Sequence, residues 1–98
     1  MPHVRLSVRA QSDIYRLHKF LLGKDPNAAK RAVLAIREAF MPLKQSHMIG
    51  RPVEDHDDLR ELVIDFGAAG YLALYRFEPS WDAVTILAIK HQREDGYE

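Results

Sequence analysis

The sequence predicts an α+β fold in which two helices pack on one face of a β-sheet. In the first half of the chain, apolar residues recur every three or four positions, which is the period of an amphipathic helix. In the second half they alternate with polar residues in stretches rich in β-branched and aromatic side chains, which is the period of a strand. The order β-α-α-β-β-β therefore predicts a sheet with one covered and one open face.

The N-terminal part is predicted to form one strand and a helical hairpin. Residues 3–6, HVRL, form the strand, and Ser7 is placed to cap the helix that follows. Gly23 is expected to end that helix in the left-handed conformation. Asp25 and Pro26 begin the second helix, as N-cap and first helical residue. Because the Gly-Lys-Asp link is short, we expect the helices to pack antiparallel. Their apolar stripes are Ala10, Ile14, Leu17, Leu21 and Ala29, Val33, Ile36, Phe40, Leu43.

The C-terminal part is predicted to form a three-stranded antiparallel meander. Its strands are residues 59–66, 71–77 and 83–90, joined by the turns GAAG and PSWD. The polar segment KQSHMIGRPVEDHDD ends the helical hairpin before them.

The register of the first two of these strands follows from the GAAG turn. If Phe66 pairs with Tyr71, Glu61 faces Arg76 across the hairpin, and we expect the two to form an ion pair. The same register sets Val63 opposite Leu74 and Asp65 opposite Leu72, on the face opposite Leu62 and Ile64.

Composition limits the classes of function. Ninety-eight residues predict a single domain over 1–98. Since the chain has no cysteine, disulfides, thiol catalysis and Cys-ligated zinc are excluded. No apolar run approaches the roughly 20 residues that span a bilayer, so no membrane partner is expected and the predicted location is the cytoplasm.

The zero net charge hides an asymmetry between the two halves of the chain. Residues 1–44 carry nine Lys/Arg against three Asp/Glu, and residues 45–98 carry five against eleven. The halves are therefore +6 and −6. One interpretation is that the basic first half binds an acidic partner. The other is that the two halves form solvated surfaces that attract each other within the fold.

Several segments carry a family resemblance. They are DPNAAKRAVLAIREAF at 25–40, IGRPV at 49–53, RELVI at 60–64, GY at 70–71, LYR at 74–76 and VTILAIKHQR at 84–93. In this order and spacing, over nearly the whole chain, they resemble the RelE/ParE superfamily of toxins from type II toxin–antitoxin modules. The resemblance implies one of two activities. RelE-like toxins cleave mRNA, usually in the ribosome, with basic residues on the open sheet face and a late tyrosine, whereas ParE-like toxins poison DNA gyrase.

The residues at the family's cationic positions favour the ParE-like branch. Where the RelE-like pattern has two lysines and an arginine, this chain has Val63, Asp65 and Leu72. Cleaving RNA requires cations around the phosphate, and these side chains cannot supply them. We therefore predict that the chain is not an RNA-cleaving enzyme. The resemblance implies a toxin that is neutralised by a cognate antitoxin and has DNA gyrase as its target.

Two alternatives remain open at the level of sequence. In the first, the protein is a ribosome-dependent mRNA endoribonuclease whose chemistry lies in His91, Arg93 and Tyr97, with proton transfer by the histidine or tyrosine. The same residues are also typical of a polar strand end, and Tyr97 of a residue that covers the sheet edge. In the second, the protein is a degenerate, non-toxic binding module.

Candidate binding residues for the antitoxin or the target are basic or aromatic. The family implies an antitoxin whose C-terminal segment wraps the helical hairpin and the sheet, although most of these cations also fit a solvated helix face. They are Arg16, Lys19, Lys30, Arg37, Arg60, Arg76, Trp81 and Lys90. No cofactor is expected, and no metal site, because His47 and His56 lie in an acidic segment typical of an exposed turn.

Overall fold

In a computed structural model, which describes residues 2–97, the chain forms a five-stranded sheet and two α-helices. The elements are β1 (His3–Leu6), α1 (Val8–Leu22), α2 (Pro26–Phe40), β2 (Arg51–Val53), β3 (His56–Phe66), β4 (Ala69–Glu78) and β5 (Ala83–His91), with 3-10 turns at Met41–Lys44 and Pro79–Trp81. The strand order is β1-β5-β4-β3-β2. None of the helices in residues 2–97 is long and apolar enough to cross a membrane.

The predicted α+β class is confirmed, but the sheet is mixed. Strands β3, β4 and β5 form the predicted antiparallel meander, while β1 pairs with β5 in parallel. Strand β2 was not predicted. It has only three residues, one of which is Pro52, and it pairs with β3 at the edge of the sheet, where a residue without an N–H is tolerated.

The helix starts follow the prediction, and the end of α1 does not. The Ser7 hydroxyl accepts the Ala10 N–H at 3.0 Å, and the Asp25 carboxylate caps α2. Gly23, however, is right-handed, with φ −71°. The N–H groups of Lys24 and Asp25 both donate to the Leu21 carbonyl, so the chain passes into the next cap without a left-handed residue.

The register of the β3–β4 hairpin differs from the prediction by two residues. Ile64 pairs with Tyr71 and Phe66 with Ala69, so that the turn is only Gly67 and Ala68. Gly70 lies inside β4 with φ +116°, where a Cβ would collide with the Ile64 carbonyl. A shift of two keeps every side chain on its predicted face.

The expected Glu61–Arg76 ion pair is wrong because of that shift. Glu61 lies opposite Leu74, and its carboxylate accepts from Arg51 at 2.9 Å. The Arg76 guanidinium instead lies 3.8 Å from Asp58 and 3.5 Å from Glu78.

Helix α1 is fixed to β5 at an irregularity in that strand. Leu74 pairs with Ala88 but Tyr75 pairs with Ile86, which leaves Leu87 as an extra residue, a β-bulge. Side chains of the α1 region satisfy the backbone around it. The Ser7 hydroxyl donates to the Leu87 carbonyl at 2.9 Å, and the buried Asp13 carboxylate accepts the Ile89 N–H at 2.9 Å. The core lies between the helices and this face of the sheet, and its largest fully buried side chains are Tyr75, Ile36, Leu43, Ile86, Ile89 and Val84.

Candidate functional site

The candidate residues are distributed over the two faces of the sheet. On the helix side, α1 leaves a groove of about 800 Å³ beside the β3–β4 turn. We call it the end groove. Its walls are largely apolar, and they include Leu17, Phe20, Leu21, Phe66, Tyr71 and His91.

Polar groups lie on the rim of the end groove. The His91 ring meets Tyr71 edge-on at 5.6 Å between centroids, and His91 Nδ1 accepts the Arg93 N–H at 3.1 Å. Arg16 is 3.1 Å from Glu94. Burial raises the pKa of Tyr71, so its phenol stays protonated. The groove is therefore suited to an apolar side chain, and its rim carries charges of both signs.

The other sheet face, which no helix covers, is the open face. Val63, Leu72 and Lys90 lie side by side across its three central strands. The Lys90 ammonium donates to the Glu94 carbonyl at 2.7 Å and lies 5.7 Å from the centroid of the Tyr97 ring. The Tyr97 hydroxyl in turn donates to Glu61 at 2.6 Å.

The hydrogen bond between Tyr97 and Glu61 shifts the pKa of both residues. Burial raises the pKa of Glu61, but the hydrogen bonds from Tyr97 and Arg51 outweigh burial and hold that pKa below its usual value. Burial and the neighbouring Glu61 carboxylate both raise the pKa of Tyr97. Tyr97 is thus a neutral hydrogen-bond donor rather than a proton acceptor.

The three candidate catalytic residues do not share one site. His91 contacts Tyr71 on the helix side of the sheet, whereas Tyr97 lies over Lys90 and Glu61 on the open face. Arg93 is exposed on the rim of the end groove. The sheet separates the histidine from the tyrosine, so the two cannot act on one phosphate in this conformation.

A family model matches nearly the whole chain. The family model described as "ParE toxin of type II toxin-antitoxin system, parDE" matches residues 4–96. This chain belongs to the ParE toxin family. The predicted membership of the RelE/ParE superfamily is thereby confirmed.

The proteins similar to this ParE-family chain are named after both branches of the superfamily, RelE and ParE. Toxin RelE3 of Caulobacter vibrioides is 39% identical over 94 residues, which cover 96% of this chain and 98% of that toxin. The chromosomal ParDE system of P. aeruginosa matches with a TM-score of 0.79 and 24% identity, over 93% of this chain and 96% of that one. The isolated E. coli RelE toxin matches with a TM-score of 0.67 and 10% identity, over 97% and 88%. The two structural likenesses show the fold.

The basic candidates of this ParE-family chain differ in availability. Lys19, Lys30 and Arg37 are exposed on the hairpin. Arg60 instead donates to the Met48 and Gly50 carbonyls, at 3.2 and 2.6 Å, and so holds the loop before β2. Trp81 is exposed, with the Arg5 guanidinium 5.4 Å from its ring.

An apolar stripe on α1 was missed by the sequence analysis. Val8, Tyr15 and Leu22 are 84%, 66% and 47% exposed, and their spacing of seven residues places them on one face of the helix. The seven-residue spacing is the sequence signal that could have revealed this stripe. The charged side chains exposed on α1 are all basic, because Asp13 is buried. They are Arg9, Arg16 and Lys19.

Proposed function

We propose that this ParE-family chain is neutralised by a cognate antitoxin and acts on DNA gyrase, without cutting mRNA. One observation carries the part of the proposal that excludes mRNA cleavage, while gyrase is the target that ParE-family membership implies. Val63, Asp65 and Leu72, at the positions where RelE-like toxins have cations, are all on the open face. A hydrophobic or acidic side chain there cannot stabilise the negative charge of a phosphate under attack.

The cations described on the open face already have partners, and on β1 the partner of Arg5 is Glu78. Arg51 is bound to Glu61, and Arg76 lies between Asp58 and Glu78. Lys90 is held by the Glu94 carbonyl and covered by Tyr97. A phosphate would have to displace these groups, which supports a role in protein binding over RNA cleavage.

The helix side supports an acidic protein partner. The exposed charges of α1 are basic and flank its apolar stripe, and the rim of the apolar end groove carries the exposed Arg93 beside the Arg16–Glu94 ion pair. A flexible segment that folds on binding recognises a surface of this kind through apolar anchors with charged neighbours. The E. coli RelBE toxin–antitoxin complex has a related fold, and the family resemblance implies an antitoxin whose C-terminal segment wraps the helical hairpin. We therefore expect such a segment to occupy this surface.

Gyrase supercoiling tests the target directly. Purified protein in excess over gyrase is expected to inhibit the ATP-dependent supercoiling of a relaxed plasmid, and the cognate antitoxin, added first, is expected to restore it. Trp81→Ala serves as a folded variant that reports whether this exposed ring contributes. Full supercoiling at every protein concentration would refute gyrase as the target.

A second candidate function is mRNA cleavage, favoured by the similarity to a toxin named RelE3. Translating ribosomes incubated with the protein would then yield new mRNA 5′ ends. These ends would disappear with His91→Ala or Tyr97→Phe, since these residues are the remaining acid/base candidates. If neither assay responds, the protein is a binding module without toxicity.

A further inference from the structure

We propose that residues 92–97 form a strap that closes the open face over Lys90, and that its far end, residues 95–97, lifts as a local unit. The proposal concerns access to this face and does not depend on which target the toxin has. It rests on the burial of Lys90, the path of the strap and the small number of contacts that hold its end.

The burial of Lys90 is the first observation. Lys90 lies on the face without helices, and lysine is among the residues least often buried, yet it is only 8% exposed. The strap contacts its ammonium, with the Glu94 carbonyl as hydrogen-bond acceptor and the Tyr97 ring as cover. Without the strap, this side chain would meet solvent.

The path of the strap is the second observation. After β5 ends, the Glu94 N–H donates to the His91 carbonyl and closes a turn. Gly96 then adopts φ +92°, a conformation that side chains rarely take. The chain consequently turns back over the sheet, and the Tyr97 hydroxyl reaches Glu61 on β3, 36 positions earlier in the sequence.

The two ends of the strap are held differently. At its start, the Gln92 N–H and side-chain amide donate to the Gly70 and Ala69 carbonyls of β4, both at 3.0 Å. The Glu94 side chain accepts from the His91 N–H at 2.8 Å and pairs with Arg16 of α1. Within residues 2–97, the far end is held by the Tyr97–Glu61 hydrogen bond and by the packing of one ring, while Asp95 and Gly96 are exposed. A segment with so few buried contacts opens at lower free energy than the core.

Opening the strap changes what the face offers to a partner. In the closed form Tyr97 occupies the site formed by Glu61 and Lys90, next to the half-buried Leu72 and Leu74. In the open form a cation, a carboxylate and two apolar side chains become accessible together. A protein that binds this face has to displace residues 95–97 first.

Acetylation of lysines, read by mass spectrometry on the full chain, tests the strap. Lys19 is exposed and serves as an internal reference. With brief acetic anhydride treatment, Lys90 is expected to react at least about tenfold more slowly than Lys19 in the unmodified sequence, because loss of a charge-assisted hydrogen bond shifts an equilibrium by about that factor or more. Tyr97→Ala is expected to bring the two rates within about threefold, and Tyr97→Phe to give an intermediate rate, since its ring remains.

Two controls separate local opening from unfolding. Tyr15→Ala removes a tyrosine that is exposed on α1 and is expected to leave the Lys90 rate unchanged. Hydrogen exchange at the Ile89 amide in β5 is expected to stay slow in Tyr97→Ala. Equal acetylation of Lys90 and Lys19 in the unmodified sequence would overturn the proposal. So would slow Lys90 acetylation in Tyr97→Ala, or loss of protection at Lys90 and Ile89 together.

Discussion

Replacing Asp13 tests the attachment of α1 to the sheet, on which the end groove depends. Asp13 is 5% exposed and accepts the N–H of Ile89, next to the bulge in β5. Its carboxylate also lies 3.2 Å from Arg9 and 3.7 Å from Arg16. Asp13→Ala therefore leaves a buried N–H without its acceptor, which costs about 1–3 kcal/mol.

The other contributions to this substitution are smaller. Both arginines are roughly half exposed, so each ion pair adds at most about 1 kcal/mol. Alanine regains up to about 0.7 kcal/mol in helix propensity. The expected net loss for Asp13→Ala is about 2–3 kcal/mol. Asp13→Asn keeps an oxygen that accepts from Ile89 and is expected to lose only about 1 kcal/mol.

Urea unfolding followed by circular dichroism measures both variants. With a slope of about 1–3 kcal/mol per molar urea, Asp13→Ala is expected to lower the midpoint by about 1–2 M. Ser12→Ala, at the neighbouring exposed position, is the control for helix propensity. If Asp13→Ala is as stable as Asp13→Asn within about 0.5 kcal/mol, the N–H of Ile89 does not need this acceptor and the reasoning fails.

Three further predictions concern the loop, the open face and the exposed ring. A Cβ at Gly50 would lie 2.6 Å from the Tyr75 ring and hydroxyl, so Gly50→Ala is expected to cost about 1–3 kcal/mol in urea unfolding. Gly23→Ala, whose Cβ meets only a carbonyl at 3.7 Å, is expected to be neutral or stabilising by up to about 1 kcal/mol. Because the pKa of Glu61 is lower in the folded than in the unfolded state, its contribution to stability is present at neutral pH and is lost as pH falls through the folded-state pKa. The difference in unfolding free energy between the unmodified sequence and Glu61→Gln should therefore shrink from about pH 7 to about pH 3, and a constant difference would contradict this. Trp81→Ala is expected to change stability by less than about 0.5 kcal/mol, because the ring is exposed; a larger loss in thermal unfolding would indicate packing that the fold does not show.

The regular elements were predictable because their signals are local. Ser7 and Asp25 mark helix starts through their own side chains, and strand alternation predicts which face is buried whether or not the register is known. Strand β2 gave no such signal, since three residues with a proline are too short for a period. The parallel pairing of β1 with β5 joins residues about 80 positions apart, a distance over which no local pattern extends.

The sites were less predictable than the elements, for a physical reason. His91 and Tyr97 are close in sequence, but the turn after β5 sends their side chains to opposite faces of the sheet. From the sequence, Glu61 was expected only to pair with Arg76. In the structure its carboxylate accepts hydrogen bonds from Arg51 and from Tyr97 of the strap. Such contacts depend on the register and on the path of the chain after its last strand, which composition and spacing do not specify.

The topology of a reporter plasmid in cells that express the chain tests the proposed target most directly. Induction without the antitoxin is expected to relax the plasmid or linearise it, while the 5′ ends of cellular mRNAs stay unchanged and antitoxin co-expression restores normal supercoiling. Unchanged plasmid supercoiling in growth-arrested cells, together with new codon-dependent mRNA ends, would contradict the account and assign the chain to mRNA cleavage.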